Sequence, residues 1–114
     1  MEKIVEQGLL YDFYGELLTD HQRRIYEDVV FNDLSSSEIA REQGISRQGV
    51  HDLIKRCDKL LEDYEAKLHL VAKFVKIRET VEEIQRQADE YMETRELERI
   101  EQIRRLSGEI TSAL

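Results

Sequence analysis

The feature that most constrains the fold of this chain is a long stretch without helix breakers. The 114 residues contain no proline, and no glycine occurs between Val50 and Ser107. Proline and glycine are the residues that most disfavour a helix interior, so their absence favours long helices. Apolar residues recur at spacings of three and four, and the alternation typical of strands is missing. The sequence therefore predicts an all-α fold of five or six helices.

Two helices are predicted before residue 32. The first spans about Ile4–Leu18, where apolar residues at spacings of three and four form one wide face. The second spans about residues 20–31 and is opened by Thr19, with Gln22 three residues later. That arrangement has the form of a capping box, in which each side chain bonds to the backbone N–H of the other residue.

A helix-turn-helix is predicted in the window of residues 36–55. A first helix over residues 36–43 follows Ser35, and Ala40 is small where the two helices must cross. Gly44 supplies the positive φ that a turn of so few residues needs, and Ser46 is a favourable N-cap for the next helix. Four apolar residues are predicted to be buried and to lock the pair together: Ile39, Ile45, Val50 and Leu53. Gln43 departs from the pattern, since an apolar residue is usual at that position.

Polar residues remain facing outward at the start of the second helix of the pair. In such motifs this end of the helix meets the base edges of DNA, with arginine suited to guanine and glutamine to adenine. Asp52, on the same face, would repel phosphate but could accept a hydrogen bond from a cytosine amine. The alternative is a polar helix surface that serves only as scaffold. The predicted nucleic-acid-binding residues are Ser46, Arg47, Gln48, His51, Asp52, Lys55 and Arg56.

Three further basic residues, Arg23, Arg24 and Lys59, are weaker candidates for contacts with phosphates. The alternative for them is a solvated surface with ion pairs inside one helix. The expected acidic partners in that case are Glu27 or Asp28 for Arg24, and Glu62 or Asp63 for Lys59.

The charge of the chain is acidic and uneven. It carries 25 acidic and 17 basic residues, a net charge of −8, and the first 34 residues alone carry eight acids and three bases. Non-specific DNA binding comes from phosphate neutralisation, so it is expected to be weak and salt-sensitive here. Screening over roughly 8 Å at physiological salt leaves the local face of the motif to decide specific binding.

Enzymatic, metal-binding and membrane functions have no support in the sequence. His21, His51 and His69 lie far apart, and with the one cysteine they give no metal-ligand spacing. We therefore expect no catalytic residue, no metal and no cofactor. Cys57 lies on the apolar face of the fourth helix and is predicted to be a core residue. No apolar run is long enough to span a membrane, and a cytoplasmic location is expected.

The segment of residues 67–114 is predicted to form a helical tail beyond a helix-turn-helix core of residues 1–66. A long amphipathic helix from Lys67 is followed by a break near Met92 and by a last helix from about Leu97. These helices are expected to pack back on the core, with some self-association as a homodimer. The third option for their apolar stripes is the helical groove of a partner. The last helix does not keep a strict heptad, so a long parallel coiled coil is not expected.

Four segments together resemble region 4 of bacterial sigma factors: residues 18–25, 34–40, 45–50 and 55–56. More closely, the whole chain resembles the YlxM family of small bacterial proteins, including Tyr11-Asp12-Phe13-Tyr14 in the first helix and the charged helical tail. The resemblance implies a regulator that binds double-stranded DNA. Genes of that family lie beside those for the signal recognition particle GTPase and its receptor, which implies a part in that targeting pathway. The alternative is an accessory protein that does not bind DNA and contacts the signal recognition particle RNA or GTPase.

Overall fold

The computed structural model describes residues 2–114, and within that range the fold is all-α without a strand. The predicted fold class is confirmed. A 3₁₀ turn over Gly15–Leu17 follows the first helix, and a π-helical turn over Glu27–Phe31 follows the second. None of the helices in the described range is long and apolar enough to cross a membrane. The helices are α1 (Lys3–Tyr14), α2 (Asp20–Tyr26), α3 (Ser36–Gln43), α4 (Arg47–Leu68), α5 (Leu70–Thr94) and α6 (Leu97–Ala113).

The chain forms two compact units, Met1–His69 and Leu70–Leu114. Between them, His69 adopts a left-handed conformation (φ 57°), and its N–H bonds to the carbonyl oxygen of Glu65, which ends α4. The tail helix expected from Lys67 therefore begins three residues later, because α4 continues to Leu68. That the helical tail packs back on the core or serves self-association stays a prediction.

The first unit is built around a small apolar core between α2, α3 and α4. Ile25, Ile39 and Val50 are fully buried, and Ala40 lies beside them. Four half-buried residues surround this core: Val29, Leu34, Leu53 and Ile54.

The prediction for Ile45 is wrong, because its side chain is 37% exposed and lies outside this core. Ile45 stands in the turn just before the N-cap of α4. There its side chain lies over the first turn of α4 beside Gly49, rather than between α3 and α4.

Tyrosine hydroxyls tie α1 and α2 to α4. Tyr14 and Tyr26 are both buried. The hydroxyl of Tyr14 donates to Glu65 at 2.6 Å, and that of Tyr26 donates to Asp58 at 2.6 Å. The side-chain amide of Gln7 donates to the same Asp58 carboxylate at 3.2 Å. Hydrogen bonds to a charged partner are stronger than neutral ones, so these contacts fix α1 and α2 against the second half of α4.

The expected single helix over Ile4–Leu18 is divided where Tyr11 covers Gly15. A side-chain carbon on Gly15 would lie 2.9 Å from the Tyr11 ring, so only glycine allows this approach. The Tyr11 ring also stacks on Tyr26 at 5.6 Å, and its hydroxyl donates to Glu27. Most of the aromatic residues of this unit therefore close its core.

The second unit is a hairpin of α5 and α6. Thr80 and Leu106 are buried between the helices, and the Thr80 hydroxyl donates to the carbonyl oxygen of Lys76 at 2.9 Å. Arg95 forms the turn with φ 61°, which confirms the break predicted just after Met92. Across the hairpin, Arg99 pairs with Glu90 at 3.0 Å.

The turn at Gly44 generates a prediction with a matched control. Gly44 has φ 68° and open space around its Cα, so Gly44→Ala meets no atom but takes an L residue into the left-handed region. We expect a loss of about 1–2 kcal/mol in free energy of unfolding. Gly8, inside α1, also has open space around it, and Gly8→Ala should stabilise by roughly 0.5–1 kcal/mol. Urea unfolding of both variants measures this, and equal effects of the two would contradict the account.

Burial of the Cys57 thiol generates a prediction about pH. Cys57 is fully buried, as predicted, and burial together with the charge of Asp58 raises its pKa to about 11. Unfolded cysteine ionises near pH 8.5, so the unfolded chain loses its proton first and stability falls as pH rises toward 11. Relative to Cys57→Ala, the wild type should lose about 1–3 kcal/mol of unfolding free energy between pH 8 and 11. Chemical unfolding at each pH tests this, and parallel curves would contradict it.

Candidate nucleic-acid interface

The helix-turn-helix is held by backbone bonds and two side-chain caps. Ser35 accepts from the N–H of Glu38 at 3.1 Å at the start of α3. At the turn, the Ile45 N–H donates to the carbonyl oxygen of Ala40 at 3.0 Å. Ser46 then accepts from the N–H of Gly49 at 2.9 Å and begins α4. Each cap satisfies a backbone donor that the helix itself leaves unpaired.

The first turns of α4 present a continuous polar face. Spacings of one, three and four residues place the side chains on one side of the helix, opposite Val50 in the core. Arg56 borders this face, and all six side chains are exposed. The residues of the face, called the α4 face below, are Arg47, Gln48, His51, Asp52, Lys55 and Arg56.

Two serines of α3 contact the α4 face. A nitrogen of Arg47 donates to the Ser37 hydroxyl at 3.4 Å, and His51 Nε2 lies 3.4 Å from the Ser36 hydroxyl. Both contacts are long and exposed, so they hold the basic side chains loosely and would yield to a stronger acceptor. The spacing of Ser36 and Ser37 from α4 along the sequence does not reveal these contacts.

Gln48 and Asp52 bond to each other on the α4 face. The Gln48 side-chain nitrogen donates to Asp52 at 3.0 Å, one turn further along the helix. This bond occupies one of the groups that would recognise an adenine edge, and it fixes a negative charge where a phosphate backbone would approach. Binding a duplex would therefore require this pair to rearrange.

The Ser46 hydroxyl has a structural task. It accepts the Gly49 N–H in the first turn of α4, and a substituent on Gly49 would lie 3.1 Å from it. A hydroxyl used as a cap still has a proton to donate, so Ser46 stays a candidate for a phosphate contact.

The three weaker phosphate candidates have different surroundings. Arg23 is half-buried, and a hydrogen bond with Tyr11 raises its pKa. Arg24 is exposed. Lys59 pairs with Asp63 at 2.8 Å, one of the ion pairs expected in the alternative view. The pKa of Lys59 is raised by this partner. Of the three, Arg24 is the most available to a ligand.

The part of the chain that the structure describes holds no group of three or more histidine, cysteine or carboxylate residues placed to bind a metal ion. Its cysteine is buried.

The fold and the caps define a helix-turn-helix protein. Residues 1–103 match the model of family UPF0122, described as "Putative helix-turn-helix protein, YlxM / p13 like". The chain belongs to this family, and the predicted resemblance to YlxM proteins is confirmed.

Relatives in several bacteria support the assignment. The chain is 43% identical over 105 residues to the UPF0122 protein YofM of Lactococcus lactis, covering 90% of this chain and 94% of that one. It is 53% identical over 76 residues to a UPF0122 protein of Caldanaerobacter subterraneus, covering 67% and 65%. It is 40% identical over 97 residues to one of Halalkalibacterium halodurans, covering 85% and 89%.

The Gln48–Asp52 pair generates a prediction about affinity. Asp52→Asn removes a negative charge from the α4 face, so binding to a DNA duplex should strengthen about threefold to tenfold at low salt. Asp12→Asn removes the same charge from an exposed site on α1 and serves as the matched control. Fluorescence anisotropy with a labelled duplex measures both. An equal effect of the two substitutions would show that only net charge matters.

Proposed function

We propose that the chain is a DNA-binding regulatory protein whose helix α4 enters the major groove. The observation that supports this best is the exposed α4 face, with its basic side chains held on a helix whose angle to α3 is fixed by a buried core. In helix-turn-helix proteins the second helix of the pair meets the base edges in this way. The proposed function of the chain is binding without catalysis.

The residues of the α4 face have distinct proposed roles. Arg47 can bond to the O6 and N7 atoms of guanine, and Gln48, once released from Asp52, to the N6 and N7 atoms of adenine. His51 lies between them on the same side. Lys55, one turn further along, is placed for phosphates at the edge of the groove. Arg56 and Arg24 supply further phosphate contacts.

Affinity for random DNA is proposed to be weak. The net charge of −8 opposes the approach of the phosphate backbone at long range. In addition, few basic side chains of the first unit are available for phosphate contacts. Because each phosphate contact releases counterions, the remaining affinity should fall steeply with salt.

A second candidate function is an accessory role in the signal recognition particle pathway. The observation that favours it is the acidity of α1 and of the 3₁₀ turn after it, where Glu6, Asp12 and Glu16 are all exposed. Such a surface suits a basic partner, whether a protein or a protein–RNA particle, and the Asp52 charge on the α4 face points in the same direction.

The proposal is tested by selection from genomic DNA. Purified protein is mixed with sheared DNA of the source genome at physiological salt, and the retained fragments are sequenced. We expect a shared site to be enriched. Arg47→Ala should then weaken binding to that site by about 1–3 kcal/mol because a bidentate base contact is lost. Arg104→Ala, which removes an exposed arginine from α6, is the control.

Two outcomes would contradict the proposal. One is retention without a shared site, above all with micromolar or tighter affinity for random duplexes at physiological salt. The other is an Arg47→Ala variant that binds the enriched site as tightly as the wild type. In either case, titration against the signal recognition particle RNA and GTPase would test the second candidate function.

A further inference from the structure

The α5–α6 hairpin leaves one apolar side uncovered. On α5, Thr80 is buried, and Ile84 and Tyr91 lie half-buried on the same side of the helix, toward α6, whereas a second stripe follows at spacings of four and seven. That stripe is formed by Ile77, Val81, Ala88 and Met92. With 100° per residue, it lies about 80° further around the helix than the residues that face α6.

Helix α6 has a matching stripe on the same side of the hairpin. The stripe is formed by Ile100, Ile103 and Ile110, and Leu114, directly after the helix, continues it. It lies about 80° further around α6 than the residues near Leu106 that face α5. Viewed along each helix from its N-terminus, this rotation has the same direction as that of the α5 stripe. Because the two helices run in opposite directions, equal rotations of the same sense bring both stripes to one side. The two stripes together form what is called the hairpin face below.

The hairpin face is too exposed to be explained by the hairpin alone. Val81 is 39% exposed, Met92 64% and Ile100 44%. The other side of the hairpin is charged, with ion pairs such as Arg105–Glu109 at 3.0 Å and Arg86–Glu83. A helix pair with one apolar and one charged side is half of a four-helix bundle.

The size of the hairpin face fits a weak, reversible interface. Its stripes run from Ile77 to Met92 and from Ile100 to Leu114, 16 and 15 residues long. At 1.5 Å per residue and about 10 Å of width per helix, they cover roughly 450 Å² on one copy. Two such faces together would bury about 900 Å², in the range of weak or transient interfaces.

The charges of α5 favour an antiparallel second copy as the partner. Residues 70–78 carry three basic residues and no acidic one, whereas residues 79–94 carry six acidic residues and one basic residue. A second α5 running in the opposite direction would set the basic half of each helix against the acidic half of the other. A parallel partner would set like charges together.

The same charges oppose the dipole of α5 itself. Negative side chains stabilise a helix near its N-terminus and positive ones near its C-terminus. The first turn of α5 has no acidic residue and its last turn no basic one, and the acids gather in its C-terminal half. This distribution of charge along α5 therefore does not stabilise the isolated helix. The charges of an antiparallel copy would neutralise it.

We propose that a second copy of this chain docks on the hairpin face, forming a four-helix bundle with antiparallel α5 helices. Val81 lies near the middle of α5, so a two-fold axis passes close to it and brings the two Val81 side chains together. The interface is isologous, with the same face contributed by each copy.

Disulfide cross-linking tests this geometry. The native cysteine is first removed as Cys57→Ala, because it is buried and unsuited as a probe. In that background, Val81→Cys should give a covalent dimer under mild oxidation. Glu79→Cys, also exposed but on the charged side of α5, is the matched control and should stay monomeric. Circular dichroism confirms that each variant stays helical.

Sedimentation equilibrium of the unmodified chain supplies an independent measurement. We expect a monomer–dimer equilibrium that is weakened at least tenfold by Val81→Glu and by Ile100→Glu. Both side chains are exposed, so neither change removes core packing. Glu82→Gln on the charged side of α5 should have little effect. A monomer at all concentrations, or a dimer in which Glu79→Cys cross-links and Val81→Cys does not, would overturn the proposal. No DNA is needed, so a failure here is separate from a failure of the proposed function.

Discussion

The packing of Ile39, Ala40 and Val50 against Ile25 sets the angle between α3 and α4, and the candidate interface depends on that angle. Close packing of this kind tolerates little change in volume, so the crossing is rigid. Gly44 makes the crossing possible, since its left-handed backbone reverses the chain in three residues. The α4 face is thus a consequence of the core: the residues that point away from it are, by the helix period, the ones available to a ligand.

Three carboxylates of the first unit bond to tyrosines, and most acidic residues of the chain lie away from the α4 face. In the first unit, Glu27, Asp58 and Glu65 each accept a hydrogen bond from a tyrosine hydroxyl. These bonds hold α1 and α2 in place. Burial, followed by the hydrogen bond to Asp58, raises the pKa of Tyr26 above its ordinary value. Asp52 is the carboxylate that stands on the α4 face itself. A net charge of −8 therefore does not decide against DNA binding, because the local arrangement of charges governs a docked duplex.

Much of the fold could be predicted from the sequence because local signals agree with the tertiary structure. The capping box of Thr19 and Gln22, the cap at Ser46 and the left-handed Gly44 all stand where expected. The end of α4 at His69 was placed too early, since an ordinary residue adopts positive φ there and no glycine marks it. Ile45 was misplaced because an apolar residue in a turn can lie over a helix end as well as in a core. The bond between Gln48 and Asp52 was also missed, since one-turn spacing permits such a contact without requiring it.

The most direct measurement is an NMR titration of the ¹⁵N-labelled chain with a duplex selected from genomic DNA, or with random duplexes if none is selected. The account predicts that amide shifts concentrate at the start of α4, from Ser46 to Arg56, and at Ser36 and Ser37 of α3, with α1 unchanged. Shifts confined to α1, or none at millimolar duplex, would contradict it and leave the helix-turn-helix as a scaffold for protein contacts.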